Sequence, residues 1–440
     1  MIYKRDKYLN ELNTRRNNHL IKIITGLRRC GKSFLLNQLF YQSLLADNIK
    51  STQIIRFAFD LEEDIIKLDK YLPNEPTIIK EGRFEYVNNH KFMAYLNDLI
   101  KTDDIYYLLL DEVQNLYRFI PTLNSLLSHQ NYDLYVTGSN SKFLSSDVAT
   151  EFSGRGDIIH LLPLDFSEYY DQNQSVVEAY QNYCYYGGIP LVALCKSDKQ
   201  KMSQLENLYR DIYLKDLFAR HSIKQDRYLI DTLRVIASCV GSPINPTKIE
   251  NTFNSVYQMK LSNDTIANYI KWFKESFLIH EATRFDVSGR KYIGSPFKLY
   301  FEDIGIKNAL LDFREIDETD LMENIIYNHL RYLGFNVDVG VVEISEKTDR
   351  LDRNNNQIYT KKQLEVDFVC NSKDTRIYIQ SAYSIPDSEK EKQEMRPFLN
   401  IVDSFKKIIV VKDNIKMHYN NNGYLIINIY EFLTTQKWMI

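Results

Sequence analysis

The chain has 440 residues, which is room for two to four domains with cores of their own and excludes a single small module. Lysine and arginine number 55 against 58 aspartate and glutamate, a formal charge of −3, so a polybasic coat is excluded and any nucleic-acid contact has to be local. With 44% hydrophobic and 13% aromatic residues, wholesale disorder is excluded as well. Cys30, Cys184, Cys195, Cys239 and Cys370 are scattered without a CxxC pair. That pattern argues against a disulfide framework or a zinc knuckle and suits a reducing cytosol. Residues 1–8 lack the apolar core of a signal peptide, and the longest apolar runs, such as 105–110, are far short of a membrane span. A cytoplasmic chain without a membrane partner is expected.

From residue 21 to 163 short apolar runs, at 21–25, 54–59, 105–110, 134–137 and 158–162, alternate with helical stretches. Continuous apolar strands separated by helices are what a parallel sheet covered on both faces requires, so residues 1–165 read as an α/β domain. Residues 166–225 read as helical, interrupted by Tyr185-Tyr186-Gly187-Gly188-Ile189-Pro190, whose glycines and proline mark a turn. Across 226–315 three helical patterns precede a hairpin. In 264–275 Ile266, Tyr269, Ile270 and Phe273 share one face, and the runs 278–285 and 298–301 flank a turn at Ser288-Gly289-Arg290-Lys291. Helices closed by a two-stranded hairpin read as a winged helix. Residues 316–440 follow with a helix through Leu333, strands near 336–344, 364–369 and 376–382, a helix around 388–398 and a strand at 407–412. The charged, asparagine-rich segment 345–362 is expected as a loop inserted between two strands.

Gly26-Leu27-Arg28-Arg29-Cys30-Gly31-Lys32-Ser33 matches GxxxxGK(S/T), directly after an apolar strand and before the helical pattern of Phe34, Leu35 and Leu39. Gly26 and Gly31 let the backbone N–H groups from Arg28 through Phe34 wrap phosphates at a helix amino terminus. Lys32 then reaches the terminal phosphates and Ser33 ligates magnesium. ATP and Mg2+ are therefore the expected cofactors. Asp111 and Glu112 end the run Tyr106–Leu110; an aspartate there can hold the magnesium shell, and the glutamate beside it can polarise the attacking water. The alternative for Glu112 is a solvated acid at a helix start. Asn140 or Ser139, one strand further on, is expected to touch the same water or the γ-phosphate, with a helix cap as the alternative. Arg155, in the turn Ser153-Gly154-Arg155-Gly156, is placed to reach a neighbour's phosphate as an arginine finger, with a surface salt bridge as the rival.

The segments GLRRCGKS, LLLDE, VTGSN, EFSGR with PLDFSE, and YYGGIP resemble the bacterial and archaeal AAA-type ATPases that carry an uncharacterised carboxy-terminal domain. The resemblance runs from Lys4-Arg5-Asp6 through Glu302-Asp303-Ile304-Gly305. It implies a P-loop NTPase sheet, a helical lid over 166–225, a winged helix over 226–315 and a restriction-endonuclease-like α/β domain over 316–440. It also implies nucleotide-driven conformational change and a GGIP turn near the nucleotide, for which a tight helix-to-helix connection is the alternative. Cys30 departs from the small serine-like residues usual at its position, which predicts that alkylating its thiol crowds the phosphate cradle.

The nuclease core that the tail resembles gathers a helix glutamate, a strand aspartate and an ExK or QxK around magnesium. Glu323, Asp367 and Gln380 match the first positions, but Ala382 stands where the lysine belongs. The tail is therefore expected not to cut nucleic acid, with Lys361 or Lys373 as substitutes for the lysine. Lys271 and Lys274 on the helix, with Arg284, Arg290 and Lys291 on the wing, suit phosphate contacts to duplex DNA; a pure packing module is the alternative. The expected function is a magnesium-dependent ATPase coupling nucleotide state to the arrangement of the winged helix and the carboxy-terminal domain. Its partner is DNA or a protein, and a finger supplied in trans by Arg155 points to a homo-oligomer. A nucleotide-gated scaffold with negligible turnover and an ATP-controlled nuclease are the rival readings.

Overall fold

The computed structural model describes residues 3–82, 84–138, 152–214, 217–218, 227–257, 261–314, 317–351, 357–373, 375–385 and 388–439. The chain divides into two compact units, Met1–Pro163 and Leu164–Ile440.

In the first unit β1 (Ile21–Thr25), β2 (Ile54–Ala58), β5 (Tyr106–Asp111), β6 (Tyr132–Thr137) and β7 (Gly156–His160) form a five-stranded sheet in the order β2-β5-β6-β1-β7. Every neighbouring pair is parallel. β1 and β5 are buried along their whole length, as continuous apolar strands covered on both faces should be. Lys22 is the exception in composition, fully buried inside β1, and it is tolerated because its ammonium pairs with Asp133 and donates to the Leu20 carbonyl at 2.8 Å. Phe92 packs edge to face on Phe57 and Phe59 in the core, Tyr95 lies tilted against Phe57, and Ala58 stands beside Asp111 in the register. The carboxyl ends of β1, β2, β5 and β6 thus meet at one rim, where open parallel sheets bind ligands. The sequence reading missed a small antiparallel hairpin beside this sheet, β3 (Ile78–Glu81) with β4 (Phe84–Val87).

In the second unit the helices Arg227–Ala237, Pro246–Thr252 and Asn263–Glu275 precede β8 (Ile279–Asp286) and β9 (Lys291–Phe301), the order expected of a winged helix. Asn263–Glu275 buries Ile266, Tyr269, Ile270 and Phe273, the face read from their spacing, and Ser262 caps it through the Thr265 amide. The hairpin is not a separate wing. β8 pairs in parallel with β10 (Asn336–Leu351), Gly340 opposite Phe285, so the hairpin ends an eight-stranded sheet. The remaining strands are β11 (Gln357–Ser372), β12 (Thr375–Ala382), β13 (Lys406–Val411), β14 (His418–Tyr419) and β15 (Leu425–Asn428), in the order β14-β15-β13-β12-β11-β10-β8-β9. The segment 345–362, expected as a loop, extends β10 and β11 as an antiparallel ribbon on either side of the undescribed residues 352–356. Its charges are cross-strand pairs, Lys361 with Glu343 and Lys362 with Glu346, which is why a charged composition still makes strand.

Candidate functional site

The turn after β1 is shaped by glycine. Gly26 has φ 137°, and a Cβ there would lie 2.2 Å from the Leu161 carbonyl oxygen; Gly31, at φ 102°, opens the helix that begins at Lys32. Arg29 completes the loop at φ 69°. The Lys32 ammonium donates to the carbonyls of Gly26 and Leu27 at 3.0 Å each, so the lysine closes its own loop. Ser33 Oγ donates to Asp111 Oδ1 at 3.1 Å, which joins loop and β5. Phe34 stands exposed beside them, whereas Cys30 is buried with its thiol 3.3 Å from the Leu161 carbonyl. The Cys30 side chain is thereby turned toward the β7 end of the sheet.

Asp111 is the centre of the rim. It accepts hydrogen bonds from Ser33, from Asn37 Nδ2 at 3.1 Å and from the Thr137 hydroxyl. Burial raises its pKa, the Thr137 and Ser33 hydroxyls oppose the shift, and the Glu112 and Asp60 charges add to it. Asp60, the acid that follows β2, is raised likewise by burial and by Glu112, with Arg28 and Arg29 pulling the other way. A carboxylate set whose charge is opposed by burial, with a serine hydroxyl on one member, is the hard oxygen surrounding that magnesium takes.

Glu112 follows with a left-handed backbone, φ 52°. Its amide donates to Thr137 Oγ1 at 3.1 Å, and its carboxylate accepts from Gln114 Nε2. Strain in a residue other than glycine persists where its surroundings impose it, and such residues gather at functional sites.

Asp60, Thr137 and Gln114 were missed from the sequence. Asp60 carried the signal that identified Asp111, an acid directly after an apolar strand. Asn140 and Ser139 lie outside the described residues. Arg155 is in an exposed turn and makes no ion pair among the described residues; its carbonyl accepts from the Ile21 amide at 2.8 Å.

In the second unit the glycines of YYGGIP answer to Asp303. Its carboxylate accepts from the Gly188 amide at 2.8 Å and the Ile306 amide at 3.1 Å, and burial pushes its pKa up to about 6. A Cβ at Gly187 would lie 2.4 Å from that carboxylate, one at Gly188 2.1 Å from the Leu164 carbonyl, and one at Gly305 2.2 Å from the Tyr186 carbonyl. Within this unit the turn is the tight helix-to-helix connection, fastened by the EDIG segment.

Glu323 and Asp367, the acids expected in the tail, do converge, and Lys298, Glu365, Tyr300 and Ser381 join them. Lys298, on β9, donates to Glu323 at 2.9 Å and Glu365 at 2.7 Å and stands 3.9 Å from Asp367. Tyr300 donates to Glu323 at 2.6 Å, and the Ser381 amide to Asp367 at 2.8 Å. The absence of a lysine, inferred from Ala382, is therefore corrected: Lys298 enters from a strand far away in sequence, while Lys361 pairs with Glu343 instead. Gln380 accepts weakly from the Asp367 amide at 3.4 Å. Burial alone would lower the Lys298 pKa, but Glu323, Asp367 and Glu365 together raise it; Asp367, deeply buried beside Glu323, is pushed well up. Of the basic residues read onto the winged helix, Lys271 pairs with Glu275, Lys274 with Glu281 at 2.6 Å, and Arg284 donates to Gln363 at 2.9 Å. Arg290 and Lys291 remain at the hairpin turn.

Residues 18–170 match the family model of an AAA domain, and residues 177–317 match a domain of unknown function, DUF8612. The chain is 28% identical to an uncharacterized protein of Haemophilus influenzae over 414 residues, 92% of each chain. It is 25% identical to the uncharacterized protein MJ1544 of Methanocaldococcus jannaschii over 425 residues, 92% of this chain and 83% of that one. Among solved structures, the Walker-type ATPase PABY2304 of Pyrococcus abyssi aligns over 70% of this chain and 96% of its own, at 13% identity and a TM-score of 0.44. Among the described residues no helix is long and apolar enough to cross a membrane. Residues 18–170 thus match an AAA domain model and carry the parallel sheet and glycine loop of the P-loop fold, and a mixed sheet follows in this chain.

Proposed function

We propose that the chain is a magnesium-dependent ATPase whose nucleotide state changes the disposition of the segments that follow the AAA domain. The observation that carries the reading is the adjacency of Asp111 and Glu112 at the end of β5, with Ser33 of the glycine loop bonded to Asp111 at 3.1 Å. ATP is held by the amides from Arg28 through Phe34 at the helix start and by Lys32, which leaves the Gly26 and Leu27 carbonyls for phosphate oxygens. Magnesium, when bound, supplies positive charge to the β- and γ-phosphates, and Ser33 and Asp111 are the residues that hold it. Glu112 takes the proton of the attacking water, and Thr137 keeps Asp111 and the Glu112 backbone in place. Asn140 is assigned to sensing the γ-phosphate. Arg155, without an ion pair among the described residues, is assigned to a neighbouring copy's phosphate.

Residues 166–225 act as the lid and 226–315 as a winged-helix element. Its DNA contact is confined to the hairpin turn, because Lys274 and Arg284 are engaged within their own unit. A protein partner is assigned to the carboxy-terminal segment. The cluster around Asp367 is read as scaffold, since Lys298 already supplies its cation. The test is steady-state hydrolysis with and without magnesium in the wild type and in Glu112→Gln. Removing a general base should slow turnover by about 10²–10⁴-fold while ATP binding persists. Equal turnover in the two proteins would leave a nucleotide-gated scaffold as the better reading.

A further inference from the structure

The charged ribbon of β10 and β11 runs beyond the strands that flank it. β8 accompanies β10 only as far as Val341, which stands opposite Asp286 and whose carbonyl accepts from the Val287 amide at 3.0 Å; β12 joins β11 only from Phe368 onward. Between these limits Glu343 to Lys347 pair with Tyr359 to Gln363, and no third strand accompanies either among the described residues. A two-stranded ribbon is marginal in water, and an unpaired edge is a template for another strand. The Val341 carbonyl tells which groups the β10 edge presents. In an antiparallel pair alternate residues turn both backbone groups to the same side, and the register is unbroken from Gly340 to Lys347. Glu343, Ser345 and Lys347 therefore point their amides and carbonyls outward, and all three are exposed.

What fits this edge is the same edge of a second copy. The open stretch is bounded by β8 at Val341 and by the register shift that begins after Lys347, and Ser345 stands in its middle. A twofold axis through the sheet at Ser345 sets two β10 strands antiparallel, with Ser345 opposite itself and Glu343 opposite Lys347 of the second copy, once on each side of the axis. Each outward residue then exchanges backbone bonds with its opposite number, and each charge meets its complement on one face. Moving the axis by one residue loses this: about Ile344 neither charge faces an opposite one, and about Glu346 that glutamate faces itself. Lys347 makes no ion pair among the described residues, and Glu343, paired with Lys361 at 2.5 Å, keeps 45% of its side chain exposed. Charges of one sign on an edge strand keep other strands away; here the two signs cancel about the centre. The β11 edge lacks that symmetry. Residues 357–363 hold Lys361 and Lys362 and no acid, and Glu365, the next one, is held by Lys298 at 2.7 Å.

We propose that the chain forms a twofold dimer through β10, the two ribbons joining into one continuous antiparallel sheet with Ser345 on the axis. The dimer does not depend on whether the chain hydrolyses ATP. The test is sedimentation velocity of the full chain without nucleotide, over a concentration series, for the wild type, Glu343→Lys, Lys347→Glu and an equimolar mixture of the two variants. The wild type should dimerise. Each variant alone sets like charges opposite one another on both sides of the axis and should raise the dimer dissociation constant about 10–100-fold. In the mixture one copy brings only lysines and the other only glutamates, so the two should associate at least as tightly as the wild type. That recovery also shows both variants to be folded. Ser345→Cys should give a disulfide-linked dimer under mild oxidation, because residues of a hydrogen-bonded pair stand about 5.5 Å apart at Cα, within disulfide reach. Thr360→Cys, on β11, should give no more of it than the wild type does. A wild type that stays monomeric, or a dimer that neither charge variant weakens, would overturn the interface. A mixture that fails to associate, or the absence of a crosslink at Ser345→Cys, would overturn the register.

Discussion

Each unit gathers carboxylates beside a lysine, and the two lysines behave in opposite ways. Lys32 gives its hydrogens to the carbonyls of Gly26 and Leu27, while Asp111 is held by hydroxyls and an amide, and Asp60 and Glu112 add negative charge nearby. Lys298 lies directly on Glu323 and Glu365, within 3.9 Å of Asp367, so the second cluster carries its own cation. A carboxylate set whose charge is opposed by burial gains most from a cation that comes and goes; one neutralised from within gains fixed geometry instead. The first arrangement suits a cycle and the second a joint between strands.

The sharpest way to break the comparison is to remove one charge from each cluster. Asp111→Asn should cost about 10²–10³-fold in magnesium-dependent turnover with the melting temperature maintained, since a buried carboxyl of raised pKa contributes little to stability. Lys298→Met should do the reverse, destabilising the second unit by about 3–5 kcal/mol through uncompensated buried charge while ATP affinity stays within about twofold. Calorimetry with nucleotide titration checks both; a turnover defect from Lys298→Met without a fall in melting temperature would erase the distinction.

A smaller effect sharpens what fastens the second unit. Gly188→Ala places a Cβ 2.1 Å from the Leu164 carbonyl, and because the obstacle is backbone, about 2–3 kcal/mol should be lost on chemical denaturation. A neutral result would mean that the EDIG segment gives way. The least effect is electrostatic. Burial and then the Asp317 and Glu323 charges push Asp320 up to about 6, and burial does the same to Asp303. A carboxyl raised in the folded state binds its proton there while the unfolded chain has released it. Stability of this unit should therefore decline as pH rises from about 4 to about 6. Asp320→Asn should flatten part of that decline and add about 1 kcal/mol above pH 6, a figure reduced for the solvent that screens a half-buried group. Unfolding curves across that pH range decide it; a slope unchanged by Asp320→Asn would assign the decline to the buried carboxyls of Asp303 and Asp367.

What the sequence made legible was local. The glycine loop, the acids after Leu110 and the helix face of Ile266, Tyr269, Ile270 and Phe273 each sit within a dozen residues, where spacing alone specifies geometry. Lys298 could not be read that way, because its partners lie on a later helix and on β11. Its signal was a single charge inside the apolar run Phe297-Lys298-Leu299-Tyr300-Phe301, and Lys22 inside β1 gave the same one. A lysine that interrupts a buried strand announces a carboxylate waiting in the fold. The ribbon over 345–362 failed for the converse reason: its charges were read one at a time, and strand pairing is a property of two segments.

The parallel contact between β8 and β10 bears on how such a chain can be taken apart or recombined. The sequence-defined domain at 177–317 stops after β9, yet β8 is hydrogen-bonded to a strand that begins at Asn336. A fragment cut at that boundary would carry two strands of an eight-stranded sheet, leave an open edge on each side of the cut and separate Lys298 from Glu323, Glu365 and Asp367. The compact unit that holds this sheet begins at Leu164, and whatever DUF8612 does, it does as part of a structure that its own boundaries do not contain.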